Sequence, residues 1–96
     1  MKRLNSALPL NNEVGALMCS RPGGETVFGP RAHGTHDNVD VPFQCPPDSK
    51  PFGVWHTHPH GVTQPSADDV RAARAFGLKK LCITVPQTGE TDCSNL

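Results

Sequence analysis

The chain has 96 residues, a formal net charge of +0 and a sequence pI near 6.9. This length favours one small domain over 1–96, and the neutral balance points neither to nucleic acid nor to a strongly cationic partner. Its apolar runs are far shorter than the ~20 residues of a membrane span, and no signal-peptide pattern follows Lys2 and Arg3. We therefore expect a cytoplasmic domain that contacts neither nucleic acid nor membrane.

The first half of the chain predicts short strands separated by turns. Glu13 to Cys19 is an apolar strand, and the turn Arg21-Pro22-Gly23-Gly24 leads into a second strand at Thr26 to Gly29. A polar turn follows, and then a short alternating strand with Val39 and Val41 on one face.

Residues 1–12 are weakly patterned, because Pro9 would break the helix that the surrounding leucines favour. One side of the predicted sheet is therefore thinly covered. That leaves room for a partner or a second copy of the chain, so a homodimer is one expectation.

The second half of the chain predicts a strand, a helix and two further strands. The apolar run Phe52 to Trp55 is a strand, and a helix extends from Ser66 to a stop at Gly77. Leu81 to Pro86 is the most strand-like run and is expected at the centre of the sheet, whereas Thr91 to Leu96 is expected at an edge. The fold class is therefore α/β or α+β, with a mixed, mostly antiparallel sheet and one or two packed helices.

The cysteines form no Cys-x-x-Cys pair, which argues against a zinc finger or a redox motif. Three disulfide connectivities are open to four cysteines. Cys19 and Cys82 lie in apolar, strand-like runs, and we interpret them as buried free thiols. Cys45 and Cys93 lie in a loop and near the end of the chain, and their state stays open.

Residues of metal-ligand type cluster where the Phe52 to Trp55 strand ends. His56 and His58 are two residues apart, so in a strand their side chains share one face. Seven residues separate His58 from Ser66, and Asp69 follows three residues later. Two imidazoles and a carboxylate are usual protein ligands of a catalytic zinc, which keeps its fourth position for water.

Ser66 and Asp69 also have a simpler interpretation, as the cap and a first-turn acid of the helix. Asp69, however, shares a helix face with Ala72, Ala73 and Phe76, and we expect that face to pack on the sheet. A buried carboxylate needs a partner, because an unpaired buried charge is very costly. A Zn²⁺ ion shared with the two histidines would be that partner.

The remaining histidines and acids of the middle region are interpreted as surface or loop residues. The spacings of four of them match no common ligand set: His33, His36, Asp37 and Asp40. His60 follows a proline and is expected to point away from the metal, where it is either a loop residue or part of the substrate cleft.

The pattern His-Thr-His-x7-Ser-x-x-Asp resembles the signature of the JAMM (MPN-type) zinc metalloproteases. That family also has a glutamate at the start of an upstream strand, and Glu13 in Glu13-Val14-Gly15-Ala16-Leu17-Met18 fits it. Glu25 is the rival acid, but an exposed acid after a turn needs no further explanation. The resemblance extends from about Glu13 to about Pro86 and implies the family's cytidine-deaminase-like fold.

The resemblance also implies a mechanism. Zinc held by His56, His58 and Asp69 would lower the pKa of a bound water, and Glu13 would act as general base. Zinc and the Ser66 hydroxyl would stabilise the oxyanion. Because each role has one candidate, an active enzyme is expected.

The substrate implied by the resemblance is a peptide or isopeptide bond after the C-terminal tail of ubiquitin or a ubiquitin-like protein. The interval from Glu13 to His56 leaves little room for the insertions of eukaryotic deubiquitinases, so a minimal prokaryotic-type isopeptidase is expected. The pattern is also similar to RadC-like relatives and to phage-tail and cell-wall peptidases that act on unrelated peptides. A non-catalytic module that binds ubiquitin-like tails is the alternative to an enzyme.

Overall fold

The computed structural model of the chain describes residues 11–36, 38–59 and 61–96. These residues form one helix and one mixed sheet of six strands. The elements are β1 (Val14–Ser20), β2 (Thr26–Phe28), β3 (Ala32–His33), β4 (Lys50–Thr57), α1 (Ala67–Ala75), β5 (Lys80–Thr84) and β6 (Thr91–Asn95). The strand order is β2-β1-β4-β5-β6, and β3 also pairs with β1.

The sheet is mostly antiparallel, and the exception determines where the site forms. Among the strands of the described residues, only β4 and β5 pair in parallel. A parallel pair needs a crossover connection, and α1 supplies it, so the helix begins at the edge of the sheet where β4 ends. Because β1 is antiparallel to β4, β1 begins at that same edge. The predicted mixed, mostly antiparallel α+β fold is confirmed.

Two of the predicted strands need correction. β5 lies inside the sheet between β4 and the edge strand β6, but the middle position of the strand order belongs to β4. The strand predicted at Val39 and Val41 is wrong, because no residue of 38–49 has strand structure. Pro42 directly follows Val41 and has no N–H to donate to a ladder. The segment instead packs Val41 against the core as a loop.

The core beneath the helix is small. Leu17 and Cys19 of β1 pack with Ala73 of the helix and with Leu78 just after it. The prediction that Phe76 packs on the sheet is wrong, since its side chain is 63% exposed. The helix ends at that point, and Gly77 turns the chain with φ of 73°. Within the described residues, no helix has the length and apolar character needed to cross a membrane.

Two disulfide bonds join the four cysteines, Cys19 with Cys45 and Cys82 with Cys93. The interpretation of Cys19 and Cys82 as free thiols is therefore wrong. Cys82 and Cys93 are direct partners across the β5–β6 pair. Cys19 of β1 meets a cysteine of the proline-rich loop that precedes β4. Both contacts depend on strand register and loop path, which spacing along the chain does not encode.

Candidate metal centre

The candidate site lies at the edge of the sheet where β4 ends and β1 begins. Gly15 of β1 is the cross-strand partner of His56 in β4, so Glu13 reaches the same edge just before β1 starts. A Glu13 carboxylate oxygen, Oε1, lies 3.6 Å from His56 Nδ1, and both side chains are buried. His58 lies just beyond β4, where its backbone N–H donates to the carbonyl of Thr84 at 2.9 Å.

His56, His58 and Asp69 converge, each offering one ligand atom, and these atoms lie within 4.8 Å of one another. The two carboxylate oxygens of Asp69 face one histidine each. His58 Nε2 is 3.1 Å from Oδ2, and His56 Nε2 is 3.6 Å from Oδ1. The two histidines are buried and Asp69 is half-buried, so the cluster opens to solvent on the helix side.

The surroundings of His58 suit a metal ligand. Its Nδ1 lies 3.1 Å from the carbonyl oxygen of Val62, which can only accept, so Nδ1 carries a proton. In a neutral ring Nε2 then has a lone pair, and this lone pair faces a carboxylate oxygen of Asp69. Two acceptors so close repel unless a second proton or a cation lies between them. A backbone carbonyl that fixes the ring of a ligating histidine is a common feature of metal sites.

The charge states of His56 and Asp69 also suit metal ligands. Burial is the largest effect on the pKa of His56 and lowers it, and His58 adds a smaller lowering. The attraction of Asp69 and a hydrogen bond from the ring to the Thr57 backbone oppose this only in part, so a neutral ring is favoured. Within the described part of the chain, buried His56 Nδ1 has no hydrogen-bond partner. Burial alone would raise the pKa of Asp69. Hydrogen bonds from Ser66 and the electrostatic effect of His56 and His58 together outweigh burial, so the pKa is lowered. A neutral imidazole and an ionised carboxylate are the forms that bind a metal.

Ser66 and Asp69 also form the start of α1, so the two interpretations of these residues hold together. The Asp69 N–H donates to Ser66 Oγ at 3.1 Å, and the Ser66 N–H donates to Asp69 Oδ2 at 3.0 Å. This capping box fixes the carboxylate that faces the histidines. Ser66 Oγ accepts in the box, and Ser66 also lines the adjoining cleft.

The other acids and histidines lie elsewhere. Glu25 is exposed at the turn between β1 and β2 and forms an ion pair with Arg21 at 3.2 Å, whereas Glu13 is only 5% exposed. The remaining described members of the middle region are exposed and join no metal cluster among the described residues: His33, His36 and Asp40. The predictions for Asp37 and His60 lie outside the described residues.

Sequence reasoning missed the residues that hold the site in place. The hydroxyl of Thr57 accepts a hydrogen bond from the backbone N–H of Val14 at 2.9 Å. The loop after the histidines is held by two side chains, since Gln87 donates to the carbonyl of Pro59 at 2.6 Å and Thr63 donates to Asp92 at 2.7 Å. The only sequence signal of the contact between Thr57 and Val14 was the position of Thr57 between the two histidines, on the strand face opposite to theirs.

A cleft of about 660 Å³ opens beside the cluster. Helix α1 forms one of its walls, and the segment 38–43 forms another. His56, Asp69 and Ser66 lie among its lining residues. A molecule in the cleft would therefore reach the candidate metal ligands and the Ser66 hydroxyl together.

The fold and the site define a class: a small α+β domain in which two histidines and an aspartate that could hold a metal ion meet between the end of a strand and the start of a helix. The chain belongs to the family described as prokaryotic homologs of the JAB domain, which matches residues 11–94. A JAB1/MPN domain protein from Archaeoglobus fulgidus has a similar structure, with a TM-score of 0.61 and 26% sequence identity. The match covers 98% of this chain and 78% of that one. No curated protein sequence matches. The resemblance to JAMM/MPN domains is thereby confirmed.

Proposed function

We propose that this protein is a zinc-dependent peptidase or isopeptidase. The observation that carries the proposal is the convergence of ligand atoms from His56, His58 and Asp69 within 4.8 Å of one another. Two nitrogen ligands and one carboxylate, with an open side toward a cleft, are the donor set of a catalytic zinc site. Zinc, when bound there, supplies Lewis-acid activation of a water and of the substrate carbonyl.

Glu13 supplies the proton transfers in this proposal. Its carboxylate lies 3.6 Å from His56, so a water held beside that histidine is within its reach. The carboxylate takes a proton from the attacking water and passes it to the departing amine. Burial in an apolar strand environment strengthens the interaction of Glu13 with a nearby positive charge.

Ser66 stabilises the charge that develops on the carbonyl oxygen. Its hydroxyl is held at the N-cap of α1 and Ser66 lines the cleft, where the hydroxyl can donate to the oxygen of a bound carbonyl. A positioned donor of this kind stabilises an oxyanion more than a neutral carbonyl. The helix N-terminus adds a favourable partial positive charge at the same place.

The substrate we propose first is the C-terminal tail of a ubiquitin-like protein, linked through a peptide or isopeptide bond. Membership of the JAB family supports this substrate, and the cleft beside the site has room for an extended chain. An extended tail can bind as an added strand, in which main-chain hydrogen bonds supply affinity. A ubiquitin-like conjugate is then the partner of the protein.

A second candidate is a peptidase that acts on unrelated peptides outside the cytosol. The observation that favours it is the pair of disulfide bonds. Disulfides persist in oxidising compartments and are rare in the cytosol of mesophiles. They weigh against the cytoplasmic location expected from the sequence and toward substrates such as cell-wall peptides.

The test compares wild type with Glu13→Gln and with the matched control Glu25→Gln, an exposed acid outside the site. Zinc per chain is quantified for each, and each is incubated with linear and isopeptide ubiquitin-like fusions and with cell-wall peptides. We expect one zinc per chain in all three proteins and cleavage by wild type and Glu25→Gln alone. Equal turnover by Glu13→Gln, or no bound zinc in wild type, would contradict the proposal. The substrate that is cleaved decides between the two candidates.

A further inference from the structure

The loop between His58 and the helix has few backbone contacts of its own. Its described residues, Pro59 and 61–65, belong to no helix or strand. Gly61 turns the chain with φ of 88°, and its N–H donates to the His58 carbonyl at 3.2 Å. Within the described chain, none of the backbone N–H groups of 62–64 donates a hydrogen bond. The position of this part of the loop therefore depends on side chains.

Val62 of this loop presents its carbonyl oxygen to the metal centre. This oxygen lies 3.1 Å from His58 Nδ1, and a carboxylate oxygen of Asp69 lies 3.1 Å from Nε2 of the same ring. A neutral imidazole has one proton for these two acceptors. With the proton on Nδ1, the Nε2 lone pair can bind a metal, whereas a proton on Nε2 blocks it. The Val62 carbonyl therefore favours the form of His58 that binds a metal.

Thr63 joins this carbonyl to the edge of the sheet. It directly follows Val62, and its hydroxyl donates to Asp92 Oδ2 at 2.7 Å. A hydrogen bond to a carboxylate is roughly twice as strong as one between neutral groups. Asp92 lies in β6, next to Cys93, and the disulfide bond of Cys93 with Cys82 joins that strand to β5. The carboxylate therefore gives the loop an anchor on the sheet.

Asp92 lies too far from the cluster to be a ligand itself. It is the cross-strand partner of Ile83, which is the partner of His56, so Asp92 and His56 occupy one row, two strands apart. Neighbouring strands are about 4.8 Å apart, which separates the two backbones by about 10 Å. Asp92 is also absent from the metal cluster that the described residues form. Its hydrogen bond therefore acts on the metal centre through the loop.

We propose that Asp92 and Thr63 are positioning residues of the metal centre. Their hydrogen bond holds the Val62 carbonyl against His58, keeps the ring proton on Nδ1 and leaves Nε2 to the metal. Within the described chain, neither residue belongs to the metal cluster or lines the cleft. The inference rests on the metal centre of the proposed function and makes no use of a substrate.

The first measurement is the tautomer of His58 in the metal-free protein at about pH 8, where an imidazole is neutral. Ring-nitrogen chemical shifts from NMR give the fraction of the ring that carries its proton on Nδ1. Thr63→Val removes the hydroxyl and Asp92→Ala removes its acceptor, so both are expected to lower this fraction. Thr63→Ser keeps a hydroxyl and Asp92→Asn keeps an acceptor, so both are expected to stay close to wild type.

The second measurement is the zinc dissociation constant, from competition with a chelator of known affinity. Loss of an outer contact of a ligating histidine weakens metal binding about 10–100-fold, and we expect about tenfold for Thr63→Val and for Asp92→Ala. Both break the same hydrogen bond, so the double variant should lose no more than either single one. Thr26→Val is the matched control, because Thr26 is an exposed threonine of β2, and it should bind zinc like wild type. Thermal melts identify any variant that fails to fold, and Thr63→Ala or Asp92→Ser then replaces it, with the same loss expected.

An unchanged tautomer or an unchanged zinc dissociation constant in Thr63→Val and Asp92→Ala would overturn the inference. Equal losses in Asp92→Asn and Asp92→Ala, with none in Thr63→Val, would overturn it as well, because the charge would then act and not the hydrogen bond.

The same measurements separate this failure from that of the proposed function. If wild type binds zinc and cleaves a substrate while Thr63→Val and Asp92→Ala bind zinc equally well, the peptidase stands and the positioning role is wrong. If the tautomer shifts in the metal-free variants and wild type binds no zinc, the effect of the hydrogen bond on His58 stands and the proposed function is wrong.

Discussion

Val14 and Thr57 join the two strands of the site through a buried hydrogen bond, from the Val14 backbone N–H to the Thr57 hydroxyl at 2.9 Å. Both residues are fully buried. Val14 directly follows Glu13, and Thr57 lies between His56 and His58. The bond therefore ties the proposed general base to the two proposed ligands, although the partners are 43 residues apart.

Replacing Thr57 by valine tests this link. The substitution keeps the shape of the side chain but leaves the Val14 N–H buried without an acceptor, which costs about 1–3 kcal/mol. We expect that loss in urea unfolding and a larger fall in turnover than in zinc content. Thr57→Ser keeps the hydroxyl and should recover most of both quantities. Equal effects of valine and serine would show that the hydrogen bond is not the reason.

Gly15 is required because three atoms crowd its position. A Cβ built there would lie 2.8 Å from Val41 Cγ2, 3.1 Å from the Trp55 carbonyl oxygen and 3.2 Å from His56 Cβ. We expect Gly15→Ala to lower the free energy of unfolding by about 1–3 kcal/mol and to weaken zinc binding by displacing His56. Gly23→Ala is the control, since a Cβ there meets nothing within 4 Å. Unfolding curves and zinc titrations check both variants, and an unchanged Gly15→Ala protein would contradict the crowding argument.

Metal removal should destabilise the domain. A ligand that binds only the folded state stabilises it by about 2.7 kcal/mol at one hundred times its dissociation constant. We therefore expect zinc to raise the melting temperature of wild type and a chelator to reverse that shift. His58→Asn should lose the shift, whereas His33→Asn, which changes an exposed histidine, should keep it. A zinc shift that persists in His58→Asn would place the metal elsewhere.

The metal-free protein should lose stability in acid. The pKa values of His56 and Asp69 are both lowered in the folded state. The unfolded chain then binds protons more readily than the folded one, so stability falls as pH drops. The histidine contribution begins to be lost near its ordinary pKa of about 6.5, and the carboxylate contribution near about 3.9. Urea midpoints of the chelated protein between pH 8 and pH 3 check this, and His56→Gln should flatten the upper part of the curve.

The local part of the site could be predicted from the sequence, and the long-range part could not. His56, His58 and Asp69 converge through strand alternation and a helix start, which short patterns encode. Glu13 is distant in the chain, and only resemblance to a family pointed to it. The disulfides were missed because Cys82 meets its partner through strand register, which no spacing rule gives.

The errors in the fold have equally specific causes. The helix pattern at Phe76 predicted burial because periodicity assumes a sheet long enough to cover the whole face. In the structure Phe76 is the C-cap residue that follows α1, and it stacks on Phe43 of a loop instead. The alternation of Val39 and Val41 indicated a strand, but Pro42 prevents pairing there. Both errors fall on the walls of the cleft, where loop packing outweighs periodic pattern.

The disulfide between Cys19 and Cys45 should hold one wall of the cleft in place. Cys45 lies two residues after Phe43, and its side chain packs against the core below the helix. We expect the double variant Cys19→Ala/Cys45→Ser to lose about 2–4 kcal/mol of unfolding free energy. Amide exchange in 38–43 should rise, because the segment has no strand ladder to protect it.

The matched variant Cys82→Ala/Cys93→Ser removes the other disulfide, which joins the paired strands β5 and β6 at the far edge of the sheet. This variant should lose stability without any change in amide exchange over 38–43, since neither Cys82 nor Cys93 is among the residues that line the cleft. Hydrogen exchange by mass spectrometry measures both variants under native conditions. If the two double variants loosen 38–43 equally, the effect is a general loss of stability. If only the Cys19–Cys45 variant loosens it, that disulfide positions the cleft wall that carries Phe43 and Asp40.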